Sequence, residues 1–292
     1  MSPSRPPGLL SDLVRLVRLP LCLAVTATAA GAHVLAAQRV AGSILVVAPA
    51  VLLLACGASA LNQWQERAID RAMPRTRDRP VPAGRIGPTT ALVLSAGSIA
   101  VGLAALGLGA GPVPALLGAA AIGWYNGLYT ALKRVTAFAV VPGAVVGAIP
   151  PAIGWVAAGQ PLDLRLAAIA FFFWVWQVPH FWLLVLRFGD EYREAGLPVP
   201  SARLTPMQLT RLAATWLCLA AVCGLLLPVF GAVRSWPVVA ALALAAAAMT
   251  GQGLKLLTQG PAAGSAPGTV AAVTRLVLAV ALLMALDPYL AR

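Results

Sequence analysis

Charged side chains are scarce in this sequence of 292 residues. Asp, Glu, Lys and Arg together make up 10% of the chain, whereas a typical soluble domain has about 25%. Hydrophobic residues make up 60%, and the mean hydropathy is +0.86. So few charges cannot cover a globular surface in water, which excludes a soluble enzyme and a disordered protein. The composition predicts an all-α, polytopic membrane protein that forms a single domain over residues 1–292.

Acidic residues are especially rare, with 9 Asp and Glu against 21 Lys and Arg and a net charge of +12. The basic residues lie between apolar runs. Outside these runs, no basic patch is interleaved with aromatic residues, as nucleic-acid-binding surfaces often are. We therefore interpret the basic excess as the positive-inside bias of a membrane protein, and we expect no nucleic-acid partner.

Cysteine is also rare. Cys22, Cys56, Cys218 and Cys223 all lie in apolar runs and form no Cys-x2-Cys pair. The sequence therefore predicts neither a zinc site nor a redox site, and a secreted disulfide scaffold is excluded. We expect these cysteines to be small buried residues.

Apolar runs of membrane-spanning length recur along the chain. A transmembrane helix needs about 20 mostly apolar residues. The first run follows Arg15 and Arg18 without a cleavage site, so we expect it to be retained as a span. Most Lys and Arg residues fall on one side of the alternating spans. This bias predicts a multi-pass protein of a bacterial-type inner membrane, with a cytoplasmic N-terminus and an external C-terminus. The nine predicted spans are 16–37, 43–65, 88–110, 113–131, 136–158, 164–187, 208–230, 236–257 and 269–289.

The first acidic stretch follows the second span. Asn62, Glu66 and Asp70 are four residues apart, so on a helix they share one face. Carboxylate and amide oxygens suit Mg²⁺, and the nearby Arg75 and Arg79 suit phosphate oxygens. The pattern predicts a diphosphate–Mg²⁺ site. The alternative is a solvated helix end with i,i+4 salt bridges. The helix is expected to end near Met73, before Pro74, and to be followed by a loop that Pro80 and Pro82 stiffen.

A second acidic stretch, Asp190, Glu191 and Glu194, follows the sixth span. It could hold a second Mg²⁺ in a clamp on a diphosphate, or it could be a charged loop at the membrane interface. Glu191 and Glu194 are three apart and can share a helix face.

Polar residues also interrupt the aromatic-rich sixth span, at Gln177 and His180. Such residues indicate a cavity rather than lipid contact. His180 could ligate haem iron, act as a base, or form a hydrogen bond in the core, and Pro179 is expected to kink the helix. Lys133 and Arg134, after Tyr129, could hold phosphates or haem propionates, or could simply be positive-inside residues.

These motifs resemble the UbiA superfamily of intramembrane aromatic prenyltransferases, and within it the protoheme IX farnesyltransferases. The resemblance rests on Asn-x3-Glu-x3-Asp at 62–70 and Arg-Thr-x2-Arg-Pro at 75–80. It also rests on YTALKR at 129–134, GAIPPAIGW at 147–155, WQVPHFW at 176–182 and DEYREAGLPVP at 190–200. The sequence departs from the family pattern at Leu19-Pro20-Leu21, where Lys-Pro-Arg is usual, and at Ala139, where Asn is usual.

The resemblance implies a helical bundle around a central cavity that transfers a farnesyl group from farnesyl diphosphate to a vinyl group of haem B. Haem B would be a substrate, Mg²⁺ the cofactor, and the lipid bilayer the environment. Haem A synthase or cytochrome oxidase assembly factors would be downstream partners. A quinone precursor is the alternative acceptor, and a membrane transporter is the alternative from another class.

The resemblance also assigns roles to residues of this sequence. It implies Mg²⁺ ligands and catalytic residues at Asn62, Glu66, Asp70 and Glu191, and a catalytic role for His180. The implied substrate-binding residues are Arg75, Arg79, Tyr129, Lys133, Arg134, Gln177, Asp190 and Glu194.

Overall fold

The computed structural model describes residues 8–291. The first seven residues and Arg292, which the predicted domain 1–292 includes, lie outside the described residues. The described part is helical and has no β-strand, as the composition predicts. Its α-helices are α1 (Leu9–Val17), α2 (Leu19–Ala37), α3 (Ile44–Ala72), α4 (Pro88–Gly109), α5 (Pro112–Ile122), α6 (Thr130–Leu132), α7 (Val140–Gly143), α8 (Ile149–Ala157), α9 (Leu164–Glu194), α10 (Pro206–Val229), α11 (Trp236–Gln259), α12 (Pro261–Ser265) and α13 (Pro267–Leu290).

Eight helical segments of the described chain are long and apolar enough to cross a membrane. They correspond to eight of the nine predicted spans. The remaining prediction, 113–131, is helical as well, but the helix changes type: α5 passes into a π-helix, Gly123–Tyr129, and then into α6. The predicted helical bundle of about nine spans is therefore confirmed.

The span predicted at 136–158 is built from three short pieces. α7 passes into a 3-10 helix, Ala144–Ala148, which leads into α8. Pro142, Pro150 and Pro151 lie in this stretch, and each lacks the N–H that a helix interior requires. The change of helix type lets the chain continue across the membrane without a full break.

Several helix ends differ from the hydropathy-based prediction. Arg18 adopts the left-handed conformation, with φ 51° and ψ 52°, so the predicted span 16–37 divides into α1 and α2. α3 and α9 continue to Ala72 and Glu194, well past the predicted ends at 65 and 187. The reason is that hydropathy marks where apolar residues stop, whereas a helix continues wherever tertiary contacts support it.

The core is built around α9, whose Phe172, Phe173, Trp182 and Leu183 are buried in a cluster that includes residues of the neighbouring α10 and α13. A second apolar cluster joins α2, α3, α4, α5 and α8. Asp163 caps the start of α9 by accepting a hydrogen bond from the backbone N–H of Leu166 at 3.0 Å. α9 is thereby fixed at its start and packed along its length, which positions the residues of its second half.

α2 and α8 approach closely at Gly154. The Nδ1 atom of the buried His33 donates to the carbonyl oxygen of Gly154 at 3.0 Å, and its Nε2 accepts from the hydroxyl of Ser43 at 3.0 Å. A methyl group on Gly154 would overlap the carbonyl oxygen of Ala29 in α2. His33 is thus a structural residue, because its hydrogen bond to Gly154 joins α2 to α8.

We predict that Gly154→Ala destabilises the protein by about 1–3 kcal/mol, because α2 and α8 must separate. Gly97→Ala is the matched control, since Gly97 lies in the exposed face of α4 and a methyl group there meets no other atom within 4 Å. Thermal unfolding of the two variants in detergent measures the difference. Equal midpoints for both would contradict the close packing of α2 against α8 at Gly154.

Candidate functional site

A cavity of about 520 Å³ lies among α2, α3, the π-helix, α9 and α13. This volume falls in the range of about 300–1,000 Å³ that is usual for small-molecule sites. Polar and charged side chains gather at one end, which we call the mouth, where α3 ends. Apolar and aromatic residues line the rest. The cavity can therefore take a ligand with a charged head and an apolar body.

Asn62, Glu66 and Asp70 line the mouth from one face of α3, as their spacing predicts. All three are buried, with relative exposures of 1%, 7% and 3%. Arg67 and Arg71, on the neighbouring stripe of the same helix, are exposed. The interpretation of this stretch as a solvated helix end is therefore wrong for the three acid and amide residues.

Each of these three side chains is paired with a basic residue from a different part of the chain. Arg18 donates from Nη2 to Oδ1 of Asn62 at 3.1 Å. Lys133 forms an ion pair with Glu66. Arg79 donates from Nη1 to both carboxylate oxygens of Asp70, at 2.9 and 2.8 Å. The mouth thus holds two partly buried ion pairs and a charged hydrogen bond, in each of which a basic side chain meets a buried oxygen of α3.

Lys133 lies after α6, at the side of the mouth opposite α3. Its Nζ atom stands 5.3 Å from the centre of the Tyr129 ring. Burial lowers the pKa of the Lys133 ammonium, and the Glu66 carboxylate opposes that shift. The charge of Lys133 is therefore stabilised by the anion beside it. Arg134, predicted alongside it, is exposed and donates to the carbonyl oxygen of Gln65 at 3.0 Å, outside the cavity lining.

The loop between α3 and α4 folds back over the mouth. α3 ends at Ala72, with Met73 extended, as Pro74 predicts. The hydroxyl of Thr76 donates to the backbone carbonyl of Asp70 at 2.9 Å, so the loop returns to the helix it has just left. This turn brings Arg79 beside Asp70. Arg75 lies further out, where it also lines the cavity and donates to the Tyr192 hydroxyl at 3.2 Å.

α1 is docked against the same region. Gln63 donates from Nε2 to the carbonyl oxygens of Arg15 and Leu16, at 2.8 and 2.9 Å. Arg85 of the loop donates from Nε to Asp12 of α1 at 2.9 Å. These contacts hold the end of α1, and with it Arg18, next to Asn62.

The π-helix forms another wall of the mouth. Tyr125 and Tyr129 both line the cavity, and their rings stack with centres 6.1 Å apart. Asn126 donates to the carbonyl oxygen of Ala58 at 3.0 Å, which ties the π-helix to α3. Single turns of π-helix occur frequently at functional sites, because the extra residue redirects side chains.

The carboxylates of the second acidic stretch do not line the cavity. Asp190 and Glu194 are exposed, and Asp190 pairs with Arg193 at 2.8 Å. Glu191 accepts a hydrogen bond from the backbone N–H of Arg75 at 3.3 Å but does not line the cavity. In residues 8–291, no group of three or more His, Cys, Asp or Glu side chains is placed to hold a metal. The structure therefore shows two carboxylates at the mouth rather than the predicted pair of facing clusters.

A kink in α9 accounts for this arrangement. Phe188 has non-helical torsions, with φ −123° and ψ 15°, whereas Pro179, where we expected the kink, lies in a stretch of helical torsions. Beyond Phe188 a different face of the helix points to the cavity. As a result Tyr192 lines the cavity, and its acidic neighbours do not. The sequence contains no simple signal for this change of face.

Gln177 and His180 line the cavity further along α9, as their position in an apolar span predicts. The carboxamide oxygen of Gln177 lies where any side chain on Gly147 would overlap it. His180 stands in aromatic surroundings, with the rings of Trp176 and Phe181 centred 5.6 and 5.9 Å away. The cavity thus has a second polar region, set within its apolar part.

Several lining residues were not predicted as site residues from the sequence. From the sequence, Arg18 is interpreted only as a positive-inside charge. Its position two residues before Pro20, at the start of the first span, is the feature that could have indicated a site residue. Trp176 and Tyr192 belong to the motifs at 176–182 and 190–200, whereas Tyr125 and Thr274 lie in no distinctive pattern.

Comparison with known proteins places this chain in a family. Residues 19–267 match the model of the UbiA prenyltransferase family. The chain belongs to the UbiA prenyltransferase family. This UbiA family member is 47% identical over 239 residues to the protoheme IX farnesyltransferase of Geobacter sulfurreducens, covering 80% of this chain and 87% of that relative. It is 38% identical to the protoheme IX farnesyltransferase of Nitratidesulfovibrio vulgaris, covering 76% and 77%.

A solved structure shares the fold of this UbiA family member. The UbiA homolog from Archaeoglobus fulgidus bound to GPP and Mg²⁺ has a TM-score of 0.70 at 13% identity, covering 96% of this chain and 99% of that one. At that identity the likeness concerns the fold alone. Family membership and the eight apolar helices together identify a multi-pass membrane protein, and they favour prenyl transfer over the transport alternative.

We predict that Asp70→Asn loosens the loop between α3 and α4, because Arg79 loses its anionic partner. A hydrogen bond to a charged group contributes about 1.5–3 kcal/mol, so amide hydrogen exchange over residues 74–86 should accelerate about tenfold or more. Asp78→Asn is the matched control, since Asp78 is exposed on the same loop. Unchanged exchange in Asp70→Asn would show that the ion pair does not hold the loop.

Proposed function

We propose that this protein transfers a farnesyl group from farnesyl diphosphate to a vinyl group of haem B, which makes haem O. The observation that carries the proposal is the buried acid and base mouth leading into a mainly apolar cavity. Curated relatives named protoheme IX farnesyltransferase, at 47% and 38% identity, support haem B as the acceptor. We propose that residues 1–292 act together as one prenyltransferase domain.

The mouth fits a Mg²⁺ ion. Glu66 and Asp70 present two buried carboxylates, and Asn62 adds an amide oxygen from the same helix face. Mg²⁺ commonly takes one or two carboxylates and completes its shell with water and substrate phosphates. When bound, it would neutralise diphosphate oxygens and assist departure of the leaving group. The UbiA homolog from Archaeoglobus fulgidus bound to GPP and Mg²⁺ supports this assignment.

The basic residues of the mouth are suited to bind the diphosphate. Arg18, Arg79 and Lys133 each hold an acid or amide side chain in the structure, and all three line the cavity. We propose that they exchange these partners for phosphate oxygens, while the freed carboxylates take the metal. Their positive charge would then stabilise the diphosphate as it leaves. Arg75 stands at the outer edge, where it would contact the same group.

The interior supports the chemistry that follows departure of the diphosphate. Loss of diphosphate produces an allylic cation, which stray water would consume. Tyr125, Tyr129 and Phe181 form aromatic walls beside the mouth. These walls would accommodate the isoprenoid chain and limit the access of water. A haem vinyl group then forms a carbon–carbon bond to the allylic carbon, one water adds to the resulting cation, and a proton is released.

Gln177 and His180 provide the polar contacts expected for the acceptor, in the part of the cavity set within the apolar walls. Glu191 stays a proposed contributor only through Arg75, whose backbone it holds. Asp190, Glu194 and Arg134 lie outside the cavity lining, so the proposed substrate contacts do not include them.

We propose that the mouth opens to the cytoplasm from a bacterial-type inner membrane, with the N-terminus inside and the C-terminus outside. Arg15, Arg18 and the arginine-rich loop between α3 and α4 lie together at this end, which agrees with the positive-inside rule. Haem O would pass to haem A synthase or to cytochrome oxidase assembly factors.

Product formation is the direct test. Purified protein supplied with haem B, farnesyl diphosphate and Mg²⁺ should yield haem O, detected by mass spectrometry. Chelation of the metal should abolish the product, and Asp70→Ala should lower the rate about a hundredfold or more. Asp78→Ala should retain the activity. Diphosphate release with a quinone precursor but not with haem B would show that haem B is not the acceptor. Absence of prenyl transfer to any acceptor would overturn the proposal.

We also predict that Lys133→Met raises the KM for farnesyl diphosphate about tenfold, because it removes one charged contact of about 1.5 kcal/mol or more. Arg134→Met is the matched control, since Arg134 is the adjacent residue but is exposed outside the cavity lining. Steady-state kinetics at fixed haem B, with inhibition by inorganic pyrophosphate, measure both variants. Equal effects of the two substitutions would show that bulk positive charge, rather than the site, binds the diphosphate.

A further inference from the structure

His180 has a hydrogen-bond partner on a distant helix. Its Nδ1 atom lies 3.3 Å from the hydroxyl oxygen of Thr274, which belongs to α13. Both residues line the cavity. The contact joins α9 to α13 at the point where the cavity has its second polar region.

The hydrogen bonds of Thr274 determine the direction of this contact. Its hydroxyl oxygen lies 2.9 Å from the carbonyl oxygen of Val270, one turn earlier in α13. A hydroxyl has a single proton, and the shorter of its two contacts, 2.9 Å against 3.3 Å, assigns that proton to the carbonyl oxygen of Val270. Towards His180 the hydroxyl presents a lone pair. The proton of the neutral imidazole therefore resides on Nδ1.

The Nε2 atom is then left with a lone pair. No described side chain or backbone group in residues 8–291 forms a hydrogen bond with it. Trp176 and Phe181 flank the ring at an angle, and the indole N–H of Trp176 forms no hydrogen bond with it or with any other described group. His33 differs, since both of its ring nitrogens are bonded within the protein. A neutral imidazole with one nitrogen bonded and the other free is the form that ligates metals.

We propose that Thr274 is a positioning residue that holds His180 as the Nδ1–H tautomer, so that Nε2 ligates the iron of a porphyrin acceptor. This inference rests on the proposed function and extends it. An iron–imidazole bond fixes the centre of the macrocycle within the cavity. Fixing the macrocycle restricts where its vinyl groups can stand relative to the allylic chain, which lowers the entropy loss of the reaction.

Haem binding to the purified full-length protein in detergent tests the inference, followed by absorption and electron paramagnetic resonance spectroscopy. We expect a histidine-ligated iron spectrum for the wild type. In His180→Ala that signature should be lost, and added imidazole should restore it. Thr274→Val keeps the shape of the side chain but removes the acceptor. It should weaken haem affinity at least about tenfold and alter the iron spectrum, as substitutions behind a metal ligand do.

Three controls separate positioning from general packing. Thr274→Ser keeps the hydroxyl and should restore the wild-type spectrum and affinity. Thr215→Val removes the equivalent hydrogen bond to a residue one turn back, from an exposed site on α10, and should change neither. Metal-free protoporphyrin IX should bind the wild type and Thr274→Val equally, because it has no iron to ligate.

The outcomes distinguish this inference from the proposed function. An unchanged iron spectrum in His180→Ala would overturn ligation by His180. Wild-type spectrum and affinity in Thr274→Val would overturn the positioning role. In either case continued formation of haem O would leave the proposed function standing. A wild-type protein that binds no haem but prenylates another acceptor would overturn both.

Discussion

Burial of charge is the constraint on which the mouth of this protein depends. A charged side chain within an apolar helical bundle is costly unless a partner compensates it. Glu66 and Asp70 meet this condition through Lys133 and Arg79, which come from other parts of the chain. The long α3, the returning loop and the segment after the π-helix are all arranged so that these pairs form. Removing one member would leave the other buried and unpaired.

The same pairs suit the binding of a metal–diphosphate complex. An anionic ligand and a cation arriving together bring the charges needed to replace both members of each pair. Carboxylates and bases that are already close together need little rearrangement, which limits the entropy lost on binding. The residues proposed to bind the substrate thus neutralise one another in the protein itself. Arg18 belongs to this arrangement, since α1 docks on Gln63 and places it beside Asn62.

α9 connects the two polar regions of the cavity. Its packed first half, with Phe172 and Phe173 in the core, gives a rigid support for His180. Its last turns, beyond the kink at Phe188, bring Tyr192 to the mouth, where Arg75 donates to its hydroxyl. One helix therefore sets the spacing between the proposed diphosphate end and the proposed acceptor region. A change of its tilt would alter both.

The sequence by itself determined the membrane-spanning helical bundle, because hydropathy and charge asymmetry follow from composition along the chain. It also determined the face shared by Asn62, Glu66 and Asp70, since residues four apart in a helix lie together whatever surrounds them.

Only the tertiary structure decided which bases meet them. Lys133 and Arg134 are adjacent and both basic, yet in the turn after α6 only Lys133 lines the cavity, and Arg134 bonds outside it. Likewise, the kink at Phe188 moved Asp190 and Glu194 away from the site, and the packing of α13 on α9 gave His180 its partner Thr274. Such pairings depend on how distant segments pack, and local spacing in a sequence does not contain that information.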